Sequence, residues 1–100
     1  MQVEFHRLAA REVREAWEWY EAAQTGLGGQ LRTEIRDALL QISAFPAAWP
    51  EQTQRTRRIR LTRFPYGIVY QVRKDTVFVV AFMHLHRKPD YWISRINKAR

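Results

Sequence analysis

The chain has 100 residues, no cysteine, 46% hydrophobic residues and a formal net charge of +7. This composition predicts one folded domain over residues 1–100 and excludes a disordered chain, a disulfide framework and thiolate chemistry. No apolar run approaches the roughly 18 residues of a membrane span and no signal peptide opens the chain, so we expect a cytoplasmic protein without a membrane partner.

A short strand at residues 3–6 precedes two amphipathic helices. The first helix carries apolar residues at helical spacing, namely Ala9, Val13, Ala16, Trp17 and Tyr20. Its acids, Glu12, Glu15 and Glu18, alternate with Arg11 and Arg14, which predicts pairing within the helix. The glycines of "TGLGG" predict a helix end and a turn. The second helix has its stripe at Leu31, Ile35, Leu39 and Ile42 and ends before Pro46, so the two helices form an antiparallel hairpin.

Three strands follow a polar, proline-marked loop. Ile59 and Leu61 alternate with Arg58 and Arg60, which predicts a half-buried strand with its cations on one face. The stretch "YGIVYQV" is apolar on both faces and belongs in the middle of the sheet, and "TVFVVAFMHL" is the most buried strand. A short basic helix is expected after Pro89.

The predicted order is therefore β-α-α-β-β-β-α, an α+β fold. Its N-terminal strand and helical hairpin pack on a small, mainly antiparallel sheet. The sheet face away from the helices is expected to carry Arg58 and Arg60.

The charge is distributed unevenly along this fold. Residues 1–54 carry five arginines against eight acids, whereas residues 55–100 carry twelve cations against two acids. Such asymmetry indicates a partner that is either nucleic acid or an acidic protein segment, and a merely soluble basic protein is the alternative.

A first candidate site is the pair Arg58 and Arg60. Their side chains project the same way, about 6.5–7 Å apart, which matches neighbouring phosphates or two carboxylates of a partner. Arg63 follows closely and joins them as a candidate phosphate- or partner-binding residue. A charged edge that deters strand-to-strand aggregation is the alternative.

A second candidate site is the stretch "MHLHRKPDYW". It holds His84 and His86 two residues apart, followed by Arg87, Lys88, Tyr91 and Trp92. A metal site would need further ligands, but the chain has no cysteine and only one carboxylate nearby. We therefore expect no metal and no cofactor. Histidine as a base, cations for phosphate charge and an aromatic for stacking would suit RNA chemistry. Alternatively, His84 caps the strand, and Tyr91 and Trp92 anchor the last helix to the core.

The element order, "WYE" closing the first helix, "RRIRLTRFPYGIVYQV" and "HLHRKPDYW" together resemble the RelE/ParE superfamily, the toxins of bacterial type II toxin–antitoxin modules. The resemblance covers essentially the whole chain. It implies a growth-inhibiting, plasmid-stabilising toxin that is neutralised by a cognate antitoxin with an acidic wrapping segment. The superfamily contains two activities: RelE-like members cut mRNA on the ribosome, and ParE-like members bind and poison DNA gyrase.

The RelE pattern can be carried onto this chain residue by residue. Arg58 and Arg60 fall at the positions of two lysines, Arg87 at a later arginine, and Tyr91 at a tyrosine if the spacing slips by one or two residues. Gly67 stands where the third-strand arginine is expected.

Because Gly67 replaces one catalytic cation of the RelE pattern, the ribonuclease set is incomplete, and we predict a ParE-like toxin that binds gyrase. Arginine does not deprotonate near neutral pH and makes a poor general base. One alternative is a RelE-like endonuclease in which Arg58, Arg60 and Arg87 hold phosphate and His84, His86 or Tyr91 transfers protons. A second alternative is a non-toxic RNA-binding module. Whichever activity applies, His86 and Lys88 join Arg58, Arg60 and Arg63 as candidate phosphate- or partner-binding residues.

Overall fold

The structure, a computed structural model, describes residues 1–96. Its elements are β1 (Gln2–Phe5), α1 (Arg7–Ala23), α2 (Leu27–Ala44), β2 (Arg57–Arg60), β3 (Tyr66–Arg73) and β4 (Thr76–His84), with 3₁₀ turns at Thr53–Arg55 and Ile93–Arg95. The predicted α+β fold is confirmed. The predicted C-terminal helix is a 3₁₀ turn as far as Ile96, and the remainder of that prediction lies outside the described residues.

The helical hairpin forms where the sequence predicts it. His6 begins α1, because its ring nitrogen Nδ1 accepts the backbone N–H of Leu8 at 3.0 Å. Gly26 makes the turn to α2 with a φ of +92°, a conformation that glycine adopts without strain. The carboxylate of Glu21 accepts the N–H groups of Gly26 and Gly28, at 3.0 and 2.9 Å, and so holds the turn to α1.

The four strands form one sheet in the order β1-β4-β3-β2. β3 runs antiparallel to both neighbours, whereas β1 pairs with β4 in parallel, so the sheet is mixed and mainly antiparallel. Because β1 ends at Phe5, opposite Val79, it leaves the later half of β4 without a strand partner on that side. This opening is important for the site described below.

Apolar side chains cover both faces of the sheet. One face packs on the hairpin through a core that includes Leu31, Ile42, Ile59, Tyr70 and Phe82. The other face packs under the C-terminal segment through Val69, Phe78, Val80, Ala81, Met83 and Trp92. β4 is buried from Val77 to Met83, which confirms that it is the most buried strand. Within residues 1–96, no helix is long and apolar enough to cross a membrane.

Candidate functional site

Arg58 lies on the face of the sheet away from the helices. Its guanidinium Nη1 is 3.9 Å from the sulfur of Met83. A Cβ atom placed on Gly67, in the neighbouring strand, would come within 3.1 Å of the Arg58 Cδ and 3.3 Å of a Leu85 methyl. Gly67 therefore leaves the space that the Arg58 stem occupies. Gly67, which stands where the RelE pattern has an arginine, thus helps to set the position of the Arg58 side chain.

Arg58 and Arg60 line different cavities. Arg58 lines a cavity of about 330 Å³ together with Trp92 and Asp90 of the C-terminal segment. Arg60 is exposed and lines a groove beside α2 that includes Glu34. The two arginines alternate with the buried Ile59 as predicted, but the described structure does not bring them into one cavity.

Arg63 is engaged within the chain. Its backbone N–H and its Nε donate to the two oxygens of the Glu34 carboxylate at 2.9 and 3.1 Å, and the N–H of Thr62 also donates to Glu34. Burial would raise the pKa of Glu34, but the hydrogen bonds from Arg63 and Thr62 outweigh it and hold the pKa below its usual value. The Arg63 side chain is still 59% exposed, so it can contact a partner while it joins the turn between β2 and β3 to α2.

His84 and His86 lie at the end of β4. The Nδ1 of His84 accepts the backbone N–H of His86 at 3.1 Å, which is the strand-capping role considered above. The His84 ring meets Tyr66 edge-on at 5.1 Å and lies 5.0 Å from the ring of His86. No group of three or more potential metal ligands surrounds them in residues 1–96.

Glu12 is the centre of a polar cluster at the open side of β4. Its carboxylate accepts the backbone N–H of Phe82 at 3.0 Å, the Tyr91 hydroxyl at 2.7 Å and both terminal nitrogens of Arg95 at 3.0 and 2.9 Å. Arg95 also donates to the carbonyl of Val80. Glu12 and Arg95 thus satisfy two backbone groups of β4 beyond the end of β1, and they join the C-terminal segment to α1.

This cluster corrects one prediction. Arg11 and Glu15 do pair within α1 at 3.2 Å, but Glu12 pairs with residues far along the chain. A signal was available, because Glu12 lies on the same helical stripe as the buried Ala9 and Ala16. An acid at the border of a buried stripe requires partners from another element.

Tyr91 is bound into this cluster. Burial, together with the hydrogen bond to Glu12, raises the pKa of Tyr91 far above its ordinary value. The phenol therefore stays protonated and donates to Glu12. The Arg87 guanidinium lies 3.7 Å above the Tyr91 ring and 3.8 Å from the Glu12 carboxylate, and the Arg87 side chain is 54% exposed.

His84 and Arg87 share a groove of about 330 Å³ on the helix side of the sheet. Its lining includes the aromatic residues Trp19, Tyr20 and Tyr66 and the acids Glu12 and Glu15. Trp19 is 68% exposed. The structure thus places Arg87 in one groove with His84 and over the ring of Tyr91, and places Arg58 in a cavity on the other face.

A family model described as the ParE toxin of the type II toxin-antitoxin system, parDE, matches residues 3–89. The chain belongs to the ParE toxin family. It is a toxin of a type II toxin–antitoxin module, and its partner is a cognate antitoxin. The resemblance to the RelE/ParE superfamily is confirmed.

Two solved structures share the fold of this toxin. The chromosomal ParDE TA system from P. aeruginosa aligns with a TM-score of 0.61 at 14% identity, over 86% of this chain and 97% of that one. The isolated E. coli RelE toxin aligns with a TM-score of 0.64 at 22% identity, over 93% of each chain. No curated protein sequence matches the toxin significantly. At these identities the two structures establish the fold alone.

Proposed function

We propose that this toxin arrests growth by binding DNA gyrase in the cytoplasm, and that it does not cut RNA. The family match supports the ParE-like side of the superfamily. The observation that carries the proposal is the state of Tyr91, whose hydroxyl donates to Glu12 and whose pKa is raised by burial. A phenol in that state is a poor general base.

The placement of the cations supports the same conclusion. A ribonuclease needs cations around the scissile phosphate and a proton-transfer group within hydrogen-bond reach. Here the candidate base, His84, lines the helix-side groove with Arg87, whereas Arg58 lines the cavity on the opposite face. Gly67 supplies no cation between them.

One observation favours the RelE-like alternative. His84 and Arg87 lie in one groove beside the exposed ring of Trp19, which could stack an RNA base. If the toxin is a ribosome-dependent endonuclease, Arg87→Ala removes both mRNA cleavage and growth arrest, and His84→Ala slows cleavage.

The test uses the purified toxin in two assays. The first follows supercoiling by purified gyrase, and the second follows a reporter mRNA by primer extension in a purified translation system. We expect supercoiling to be inhibited in proportion to toxin concentration and the message to remain intact. Discrete new 5′ ends that require ribosomes, with gyrase unaffected, would replace the proposal by the endonuclease alternative. Induction without growth arrest would favour a non-toxic RNA-binding role.

We also propose how the antitoxin neutralises the toxin. An acidic segment of the antitoxin lies across the helical hairpin and the open edge of β2. The cations available to it are Arg58, Arg60, Arg63 and Lys88, and the exposed His86 is a further candidate contact. Opposite charges at this surface favour fast and specific association.

A further inference from the structure

One end of the sheet carries cations that the proposed contact with the antitoxin does not use. The loop of residues 52–56 lies there beside the turn between β3 and β4, because the side chain of Gln71 donates to the carbonyl of Gln54 at 2.7 Å. Residues 52–58 and 71–76 together hold five cations against a single acid. Three of these cations are exposed and form what we call the sheet-end patch: Arg55, Arg73 and Lys74.

The charges of the sheet-end patch are not neutralised within the fold. Among residues 1–96, no carboxylate forms an ion pair with any of its three cations. Arg73 is nevertheless held in place, because its Nε donates to the side-chain oxygen of Gln71 at 3.0 Å and its guanidinium lies 4.1 Å above the centre of the Phe78 ring. This leaves the two terminal nitrogens of Arg73 as an oriented fork for the oxygens of an anionic partner.

The other two cations of the patch stand in strained backbone conformations. Arg55 and Lys74 have φ angles of 58° and 56°, in the left-handed region that glycine and asparagine adopt more readily. The loop that carries Arg55 is fixed from within, because the buried Thr56 donates to the carbonyl of Thr53 at 2.7 Å. The local backbone therefore does not favour a cation at either position, and strain of this kind concentrates at functional sites.

The composition of the patch suits a phosphate backbone. Exposed cations are sufficient to bind the phosphates of a duplex, whereas single-stranded RNA also needs exposed aromatic rings on which its bases stack. The exposed aromatic side chains of residues 1–96, Trp19 and Phe45, belong to α1 and to the residue that ends α2. A protein partner would need an apolar or aromatic anchor, and in this part of the described chain the large exposed apolar side chain is Val72.

We propose that the sheet-end patch binds the phosphate backbone of duplex DNA. Arg73 contacts one phosphate with its terminal nitrogens, and Arg55 and Lys74 contact neighbouring phosphates, without regard to base sequence. The inference rests on the gyrase proposal for the source of the DNA, because a toxin bound to gyrase has the DNA substrate of that enzyme beside it. It adds a second contact to the complex, between the toxin and the DNA.

The test follows binding of the full chain to a short fluorescent DNA duplex by anisotropy, over a range of salt concentrations and without gyrase. The variant combines Arg55→Asn with Lys74→Asn, since asparagine tolerates the left-handed conformation. It should resist urea as well as the wild type does, yet bind the duplex about tenfold more weakly, with a salt slope about 1.8 smaller for two lost phosphate contacts. The matched control combines Arg32→Gln with Arg36→Gln, which removes two exposed charges from α2 and should leave binding nearly unchanged.

Three results would overturn the inference. Equal weakening by the two double variants means that the duplex senses net charge and not this patch. Tighter binding to a single-stranded RNA of the same length assigns the patch to RNA, and an equal loss of antitoxin affinity in the patch variant assigns it to the antitoxin. The supercoiling assay separates this inference from the gyrase proposal. Gyrase left active by a wild type whose patch binds DNA contradicts the gyrase proposal alone, whereas inhibition by a wild type whose DNA binding does not depend on the patch contradicts this inference alone.

Discussion

The carboxylate of Glu12 accepts the backbone N–H of Phe82, 70 residues further along the chain, at a distance of 3.0 Å. Through this bond a side chain of α1 takes the place of a strand beside β4. The same carboxylate binds Tyr91 and Arg95, so it joins the helical hairpin, the sheet and the C-terminal segment.

We predict that Glu12→Gln destabilises the toxin by about 2–4 kcal/mol, because it leaves the Arg95 guanidinium buried without its counter-charge. The side chains of Glu12 and Arg95 are only 14% and 10% exposed. Urea unfolding gives the free energy. The control is Glu15→Gln, whose side chain is 58% exposed and pairs with Arg11, and which should cost less than about 0.5 kcal/mol. Equal losses of unfolding free energy in the two variants would show that the Glu12 cluster does not stabilise the fold.

A second prediction concerns stability below about pH 6.5. Burial, with Arg95 and Arg7 nearby, lowers the pKa of His6 below its usual 6.5, although Glu12 opposes the shift. The unfolded chain therefore binds the proton at a higher pH than the folded chain does. The stability that neutral His6 contributes is fully present above pH 6.5 and is lost as the pH falls towards the lower folded pKa. Protonation also removes the acceptor for the Leu8 N–H.

His6→Asn tests this directly, since asparagine keeps the helix-capping acceptor but does not titrate. The variant should be less stable overall, because it loses the ring contact with Phe78, but its free energy of unfolding should vary less over this pH window. The exposed His86, replaced by Asn, serves as the control and should leave the pH dependence in place. The Glu34 carboxylate, whose pKa is lowered, contributes in a separate window at more acidic pH. A pH dependence unchanged in His6→Asn would contradict the assignment.

A third prediction tests the contact between Gly67 and Arg58. Gly67→Ala places a Cβ 3.1 Å from the Arg58 Cδ and 3.2 Å from its Cγ, so the arginine must shift. We expect a loss of about 1 kcal/mol, at the low end for overpacked sites. In the Arg58→Ala background the same change should be neutral or stabilising, because alanine gives the unfolded chain less conformational entropy to lose on folding than glycine does. Denaturant unfolding of the four proteins gives the coupling energy, and a value near zero would show that Gly67 does not set the position of Arg58.

Much of the fold could be predicted from local pattern, and the site could not. The stripe from Leu31 to Ile42 and the alternation around Ile59 have clear periods, which identify α2 and β2. Strand parity also predicts that Arg58 and Arg60 project the same way. The path of each long side chain, however, depends on the missing Cβ of Gly67, in another strand. The Glu12 cluster joins residues 12, 82, 91 and 95, and no period in the sequence encodes contacts at such separations.

The last prediction concerns the antitoxin complex. Replacing Arg58 and Arg60 together by Glu should weaken the complex about 100-fold or more, because two attractive contacts become repulsive and one carboxylate is forced into the Arg58 cavity. The control for charge alone is Lys74→Glu, because Lys74 is exposed in the turn between β3 and β4. It carries the same change of charge as the single variant Arg60→Glu, and the two are compared directly. Calorimetric titration with the cognate antitoxin, at two salt concentrations, separates the buried contact at Arg58 from screened surface attraction. An affinity that the double variant leaves unchanged would mean that the antitoxin covers another surface and that these cations face elsewhere.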